Sequence, residues 1–254
     1  MTDLSAFSLE GKRVLVTGAN TGIGQGIALS AGRAGAAVIG VGRSSMDETA
    51  GLLRAVGAPF TPIACDLSSS AAAAAMLDAA WEREGPIDGL VNNAGIIRRA
   101  DAVDFTERDW DEVMDVNLKS AFFLAQAFAR RALAAGRPGR VVNIASVLSF
   151  QGGIRVASYT ASKHGMVGIT RLLACEWAGR GVNVNAISPG YIVSNNTEAL
   201  RDDRDRSAAI LARIPAGRWG EPRDIGDAAV FLLAPASAYM HGSVVSVDGG
   251  WLAR

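Results

Sequence analysis

Residues 17–24 read Thr-Gly-Ala-Asn-Thr-Gly-Ile-Gly and stand between an apolar run at 13–17 and a helix-like pattern at 23–33. A glycine at position 18 lets a strand reverse into a helix, and glycines at 22 and 24 let backbone N–H groups approach a pyrophosphate at the helix N-terminus. The spacing is G-x-x-x-G-x-G rather than the commoner G-x-G-x-x-G. The stretch therefore predicts a dinucleotide site, with a purely structural glycine turn as the alternative.

The alternation of short apolar runs and helical patterns continues along the chain. Further strands are predicted at 37–41, 61–64, 87–91, 140–144, 182–186 and 244–247. Further helices are predicted at 46–56, 70–84, 109–135, 157–178 and 224–233, and the polar residues 194–206 are expected to be a mobile surface segment. Strands separated by such helices predict one α/β domain over residues 1–254, a doubly wound parallel sheet (Rossmann fold) with helices on both faces.

The composition limits the classes of partner. The 254 residues carry 25 basic and 25 acidic side chains, so the formal charge of zero argues against nucleic acid or membrane lipid as a partner and favours a small molecule. Cys65 and Cys175 are too few for a disulfide framework, and no leader pattern or long apolar run is present, so we expect a cytoplasmic protein. His164 and His241 have no evident third ligand, and no metal is expected.

Polar residues follow the predicted second, third and fourth strands. The second ends in Val41-Gly42-Arg43, which lacks the carboxylate that binds the ribose of NAD and offers a guanidinium for the 2′-phosphate of NADP. Asp66 is placed to accept a hydrogen bond from adenine, and Asn92-Asn93-Ala94-Gly95 gives a flat ligand room against the backbone. The alternatives are a surface arginine at 43, a turn cap at 66 and a turn at 92–95.

Tyr159 and Lys163 lie one helical turn apart, so an ammonium is expected near a phenol. Lowering the phenol's pKa towards neutrality would make Tyr159 a general acid or base. Ser146, after a strand, is expected to orient a substrate carbonyl, and Asn117 to bind a water that links Lys163 to solvent. The alternatives are an exposed Tyr/Lys pair, a strand-end turn and a helix-bending polar residue.

Together these motifs, with Pro189-Gly190, resemble the short-chain dehydrogenase/reductase family over nearly the whole chain. The resemblance implies a homotetramer, a catalytic tetrad of Asn117, Ser146, Tyr159 and Lys163, and a nicotinamide ribose bound by Lys163. The residues that we expect to contact NAD(P) are Thr17, Gly18, Asn20, Thr21, Gly22, Ile23, Gly24, Arg43, Asp66, Leu67, Asn93, Ala94, Gly95, Tyr159, Lys163, Pro189, Gly190 and Ile192.

A narrower resemblance, to members of the family that act on deoxy-keto sugar acids, rests on residues 4–12, 95–99, 149–156, 213–220 and 247–254. Those members imply NAD as the cofactor, whereas Arg43 favours NADP. A sugar-acid carboxylate needs a cation, and Arg98, Arg99 and Arg155 flank the catalytic segments, while Gln151 is suited to hydroxyls. An exposed salt bridge is the alternative for each arginine.

The sequence thus predicts an oxidoreductase that transfers a hydride reversibly between NAD(P) and a secondary alcohol or ketone of a deoxy-keto sugar acid. One alternative is a 3-oxoacyl-[acyl-carrier-protein] reductase, which would use the same tetrad. The other is a non-catalytic NAD(P)-sensing regulator, which would not need the proton-transfer groups.

Overall fold

A computed structural model describes residues 3–254, and their strands form one sheet in the order β3-β2-β1-β4-β5-β6-β7. All six strand pairs are parallel. The strands are β1 Arg13–Thr17, β2 Ala37–Gly42, β3 Phe60–Ala64, β4 Gly89–Asn92, β5 Gly139–Ile144, β6 Val182–Pro189 and β7 Val244–Val247.

Helices connect the strands. They are α1 Gly22–Arg33, α2 Asp47–Ala55, α3 Ser70–Glu84, α4 Glu107–Met114, α5 Ser120–Ala134, α6 Ala157–Trp177, α7 Glu198–Asp202, α8 Arg204–Leu211 and α9 Pro222–Leu233. None of the helices within residues 3–254 is long and apolar enough to span a bilayer.

Both faces of the sheet are covered, because successive strand residues point to opposite sides. In β1, Val14 and Val16 belong to a buried cluster with residues of α1, α2 and α9. Leu15, between them, belongs to a second cluster with residues of α3, α5 and α6. The predicted doubly wound parallel sheet with helices on both faces is confirmed.

The chain order reverses between β1 and β4, which are neighbours at the centre of the sheet. Helices on opposite faces leave these two strands, so a crevice opens beyond their carboxyl ends. The predicted nucleotide-binding turn at residues 17–24 follows β1, and the Asn-rich segment at 92–95 follows β4. The fold therefore brings both segments to one edge of the sheet.

The structure departs from the sequence prediction at the helix expected over 109–135. A π-helical turn, Asp115–Lys119, separates α4 from α5, and the Ser120 N–H donates to the Asp115 carbonyl five residues earlier. The apolar repeat of 3.6 residues does not reveal the extra residue in this turn, because the same repeat resumes after it.

The second departure lies at residues 194–206, where a mobile surface segment was expected. A 3-10 turn, Asn195–Thr197, is followed by α7 and α8. The turn is closed by the Thr197 hydroxyl, which accepts from the Ser194 N–H at 3.1 Å, and Asp203 caps the backbone N–H of Arg206. Apolar residues of these helices pack on Trp251, so tertiary contacts stabilise elements whose polar sequence predicted none.

The close contact of α1 with α9 gives a stability prediction. A methyl group at Gly26 would lie 2.5 Å from Pro222 Cβ and 2.7 Å from the Pro222 carbonyl oxygen. Because the added methyl group would clash with the Pro222 backbone, we expect Gly26→Ala to lower the free energy of unfolding by about 2 kcal/mol. Gly51→Ala, in α2 with open space around it, should raise that energy by about 0.5–1 kcal/mol. Urea titrations of both variants, read by circular dichroism, test this; equal shifts would refute it.

Candidate active site

The turn between β1 and α1 forms a cradle of backbone that only glycine permits. Gly18 and Gly22 have positive φ angles of 67° and 54°. A Cβ at Gly24 would overlap the Gly18 carbonyl oxygen, so this helix position must stay without a side chain. With no side chain at three positions, N–H groups at the start of α1 are open to an anion, and the cradle fits a dinucleotide pyrophosphate.

A cleft of about 370 Å³ runs from this cradle to the start of α6. It brings together nearly all the residues that the sequence predicts for NAD(P): Gly18, Asn20, Thr21, Gly22, Ile23, Gly24, Arg43, Asp66, Leu67, Asn93, Ala94, Gly95, Tyr159, Lys163, Pro189, Gly190 and Ile192. Ser146 also lines it. Thr17, Asn117, Arg98, Gln151 and Arg155 lie outside the lining.

Thr17 has a different place, because its hydroxyl joins the ends of β1 and β4. Thr17 Oγ1 donates to the Val91 carbonyl at 3.2 Å and accepts from the N–H groups of Asn93 and Ala94 at 3.0 Å each. Asn93 Nδ2 donates in return to the Thr17 carbonyl at 2.9 Å. The side chain of Thr17 thus shapes the cleft floor without facing the cleft.

At the β2 end of the cleft, Arg43 is exposed and makes no ion pair with any carboxylate of residues 3–254. Asp66 Oδ1 accepts from the Ser68 N–H at 3.0 Å, so the turn-capping alternative for this residue is realised. That hydrogen bond is the main reason why the pKa of Asp66 is lowered, and the charge of Arg43 adds to it. The Arg43 guanidinium and the Asp66 carboxylate therefore line the same cleft without forming an ion pair.

At the other end of the cleft, Tyr159 and Lys163 lie on the first turns of α6. The Lys163 ammonium donates to the Ile144 carbonyl at 2.6 Å and lies 5.6 Å from the centre of the Tyr159 ring. Ser146 begins the turn after β5 and accepts from the Leu148 N–H at 3.1 Å. Ser149 ties this turn to α6 by donating to the Lys163 carbonyl at 2.6 Å.

The protonation of both α6 residues is set by burial. Burial raises the pKa of the Tyr159 phenol above its usual value, while the Ser146 hydroxyl and the Arg99 charge act in the opposite direction. Burial lowers the pKa of Lys163 to about 8. The sequence led us to expect a lowered phenol pKa, whereas burial, the largest influence on this phenol, raises it.

Asn117 lies in the π-helical turn, 1% exposed, with its side chain fully engaged by protein groups. Its Oδ1 accepts from the Ile96 N–H at 2.8 Å, and its Nδ2 donates to the Ile96 carbonyl at 3.0 Å and to Ser162 Oγ at 3.3 Å. The side chain thus connects the segment after β4 to α6. This amide fixes the backbone around the catalytic segment, and the role of Asn117 as a water ligand stays a prediction.

Two of the predicted substrate arginines are ion-paired. Arg98 donates to Glu112 on α4 at 2.8 Å, and Arg155 lies 3.2 Å from Asp101. Arg155 also has φ of 63°, unusual for a side chain of its size, and its carbonyl accepts from the Ala100 N–H. The salt-bridge alternative therefore describes both arginines, and Gln151 is half-buried after the Ser146 turn.

Residues 194–197, which sequence reasoning missed, line the cleft. A methyl group at Gly22 would lie 3.2 Å from Ser194 Cβ, so this segment lies over the glycine cradle. We call residues 194–197 the roof segment. The signal that could have revealed it is Ser-Asn-Asn-Thr before Glu198, a pattern typical of a capped helix start.

No group of three or more His, Cys, Asp or Glu side chains within residues 3–254 is placed to hold a metal ion. Ser146, Tyr159 and Lys163 place a hydroxyl, a phenol and an ammonium at one end of the cleft.

Comparison with known proteins gives consistent results. The family model described as enoyl-(acyl carrier protein) reductase matches residues 18–252. The 2-dehydro-3-deoxy-D-gluconate 5-dehydrogenase of Escherichia coli is 55% identical over 251 residues, which are 99% of either chain. A solved structure from Agrobacterium tumefaciens with bound NADP is 58% identical, covers 98% of this chain and 99% of that one, and has a TM-score of 0.93. A gluconate 5-dehydrogenase of Burkholderia cenocepacia, solved with NADP and tartrate, is 38% identical with 99% coverage of both chains and a TM-score of 0.93.

The pKa of Lys163 gives a pH prediction. Since the folded chain binds this proton less tightly than the unfolded chain, the free energy of unfolding should increase as pH rises from about 8 to about 10.5. Relative to Lys163→Met, the wild-type free energy of unfolding should therefore rise by up to about 3 kcal/mol over that interval. Urea denaturation of both ligand-free proteins at several pH values measures it. Parallel pH profiles would show that the buried amine does not titrate in this range.

Proposed function

The chain belongs to the short-chain dehydrogenase/reductase family, and from that premise we propose that it oxidises the C5 hydroxyl of 2-dehydro-3-deoxy-D-gluconate reversibly with NAD(P). The observation that carries the proposal is the single cleft shared by the glycine cradle and by Ser146, Tyr159 and Lys163. The substrate comes from the relative in Escherichia coli, whose name states this activity.

The residues at the α6 end of the cleft account for proton transfer. In the oxidation, the Tyr159 phenolate takes the proton of the C5 hydroxyl as the C–H electron pair leaves with the hydride. In the reduction, the phenol returns that proton to the alkoxide oxygen. Ser146 hydrogen-bonds to the same oxygen and holds it beside the phenol. A bound nicotinamide dinucleotide supplies the hydride acceptor or donor.

Lys163 supports this chemistry through charge and position. Its ammonium uses one N–H on the Ile144 carbonyl, which leaves two donors for the hydroxyls of a ribose. Its positive charge is buried and lies 5.6 Å from the centre of the Tyr159 ring, so in this proposal it favours the phenolate. The side chain of Asn117 keeps the segment after β4 bonded to α6, so it acts as a positioning residue in this proposal.

Arg43 supports NADP(H) as the preferred cofactor. Its guanidinium is free of carboxylate partners among the described residues and stands at the cleft end where the second strand finishes. A 2′-phosphate is the anion that a guanidinium at this place binds well. The related structures from Agrobacterium tumefaciens and Burkholderia cenocepacia contain NADP.

We further propose one domain over residues 1–254 and a homotetramer in the cytoplasm. The single sheet supports one domain. A groove between α5 and α6, lined by apolar residues that include Phe122, Leu172 and Trp177, supports self-association. Free thiols at Cys65 and Cys175 support a reducing compartment.

A Tyr159→Phe variant tests the proton-transfer role. Removing the phenolic oxygen should lower kcat with 2-dehydro-3-deoxy-D-gluconate by at least about 10²–10⁴-fold, because no general base remains. Dinucleotide affinity, measured by fluorescence titration, should stay the same. Tyr239→Phe, the same change at a fully exposed tyrosine, is the matched control. Substantial residual turnover by Tyr159→Phe would contradict the mechanism.

The substrates of the wild type test the alternative function. Turnover of an acetoacetyl thioester but of no sugar acid by the wild type would favour the acyl-carrier-protein reductase.

Arg43→Gln tests cofactor choice. Losing a charge-assisted hydrogen bond to the 2′-phosphate should lower kcat/KM for NADP⁺ by about 10–100-fold and leave that for NAD⁺ unchanged. Initial rates with both dinucleotides measure the ratio, and Arg54→Gln, exposed on α2, is the control. If the ratio of kcat/KM for NADP⁺ to that for NAD⁺ did not change, Arg43 would not bind the 2′-phosphate.

A further inference from the structure

The loop after β3 lies at the end of the cleft opposite to the start of α6. Residues 65–67, which we call the adenine loop, line the cleft together with Gly42 and Arg43. In this loop, Asp66 Oδ1 accepts from the Ser68 N–H, and Oδ2 has no hydrogen-bond partner among residues 3–254. A carboxylate oxygen without a partner is suited to the amino group of adenine. The position of the loop therefore governs how well the adenosine half of a dinucleotide is held.

Two contacts hold the adenine loop to α5. The side chain of Leu67 belongs to the buried cluster that also contains Leu124 of α5. The Ser120 hydroxyl donates to the Leu67 carbonyl at 2.5 Å, and no backbone N–H of residues 3–254 bonds to that carbonyl. Ser120 is itself 1% exposed. Removing its hydroxyl would therefore leave a buried carbonyl without a donor.

The π-helical turn explains why Ser120 faces this loop. The Ser120 N–H closes the turn on the Asp115 carbonyl. Residues three apart in a regular α-helix share one face, whereas a wider turn directs them to different neighbours. Here Asn117 contacts Ser162 of α6, and Ser120 contacts Leu67. The inserted residue thus lets one turn bond to elements at both ends of the cleft.

We infer that Ser120 is a positioning residue for the dinucleotide, because its hydroxyl holds the adenine loop where Asp66 meets adenine. Ser120 lies outside the cleft lining, so it acts on the ligand through Leu67. Hydrogen bonds are directional, so losing this one allows the Leu67 carbonyl and the adjoining carboxylate to shift together. The inference rests on the proposed function only for the premise that the cleft binds NAD(P).

Ser237 is the matched comparison for a role in stability alone. It is also fully buried, and its hydroxyl donates to the carbonyls of Leu232 and Ala234 at 3.0 and 3.1 Å. It lies in the 3-10 turn after α9 and does not line the cleft. If both hydroxyls served stability alone, removing either one would have the same effect on ligand binding.

Calorimetric titration with AMP and with adenosine 2′,5′-bisphosphate tests the inference, because both ligands contain only the adenosine half of a dinucleotide. We expect Ser120→Ala to weaken the binding of both by about 10-fold, since the freed carbonyl lets the loop move. Arg43→Gln should weaken only the bisphosphate. In Ser120→Ala the KM for the dinucleotide should rise by a similar factor, while kcat stays the same. Ser237→Ala should match the wild type in every ligand measurement.

Other results overturn the inference. Unchanged affinity for both adenosine ligands in Ser120→Ala would show that the loop does not depend on the hydroxyl. Equal losses in Ser120→Ala and Ser237→Ala would assign the effect to stability, which the melting temperature of each variant reports separately. A lower kcat with intact adenosine binding would place Ser120 with the catalytic segment. A wild type that binds both adenosine ligands but oxidises no sugar acid would refute the proposed substrate and leave this inference intact.

Discussion

The Thr17 hydroxyl bonds the ends of β1 and β4 to each other, and the remaining geometry of the cleft depends on that junction. The two strands carry helices to opposite faces of the sheet, so without a cross-link their following loops would be free to separate. One hydroxyl makes three hydrogen bonds to backbone groups, and Asn93 closes the junction from the other strand. The glycine cradle and the wall at residues 93–95 are thereby held at a fixed separation, which a rigid dinucleotide site needs.

The second constraint is the buried cation of Lys163, which forms no ion pair with a carboxylate within residues 3–254. Lys163 is held by one main-chain carbonyl, and its lowered pKa records the cost of that burial. A carboxylate would stabilise the ammonium, but it would also cancel the field that the phenol needs. A buried charge with a shifted pKa is common where a group must act on a neighbour rather than rest in a salt bridge.

The sequence predicted the fold, and it predicted those parts of the cleft whose conformation depends on residues close together in the chain. The glycine turn follows from residues 17–24, and the pairing of Tyr159 with Lys163 follows from helical spacing, so neither required knowledge of the tertiary structure. Arg98 could not be assigned in the same way, because its partner Glu112 lies 14 residues away on a different element. The roof segment escaped prediction because α7 and α8 depend on packing against Trp251, a contact between distant parts of the chain. The π-helical turn escaped because one inserted residue leaves the apolar pattern on either side intact.

Lysine occurs only at positions 12, 119 and 163, and the rest of the basic residues are arginines. Lys12 and Lys119 have side chains that are 43% and 57% exposed, whereas Lys163 is buried. Amine-directed reagents will therefore attach to the two surface lysines in preference to Lys163. For labelling or immobilisation through side-chain amines, the protein offers two handles that do not line the cleft, and its arginines are inert to the same reagents.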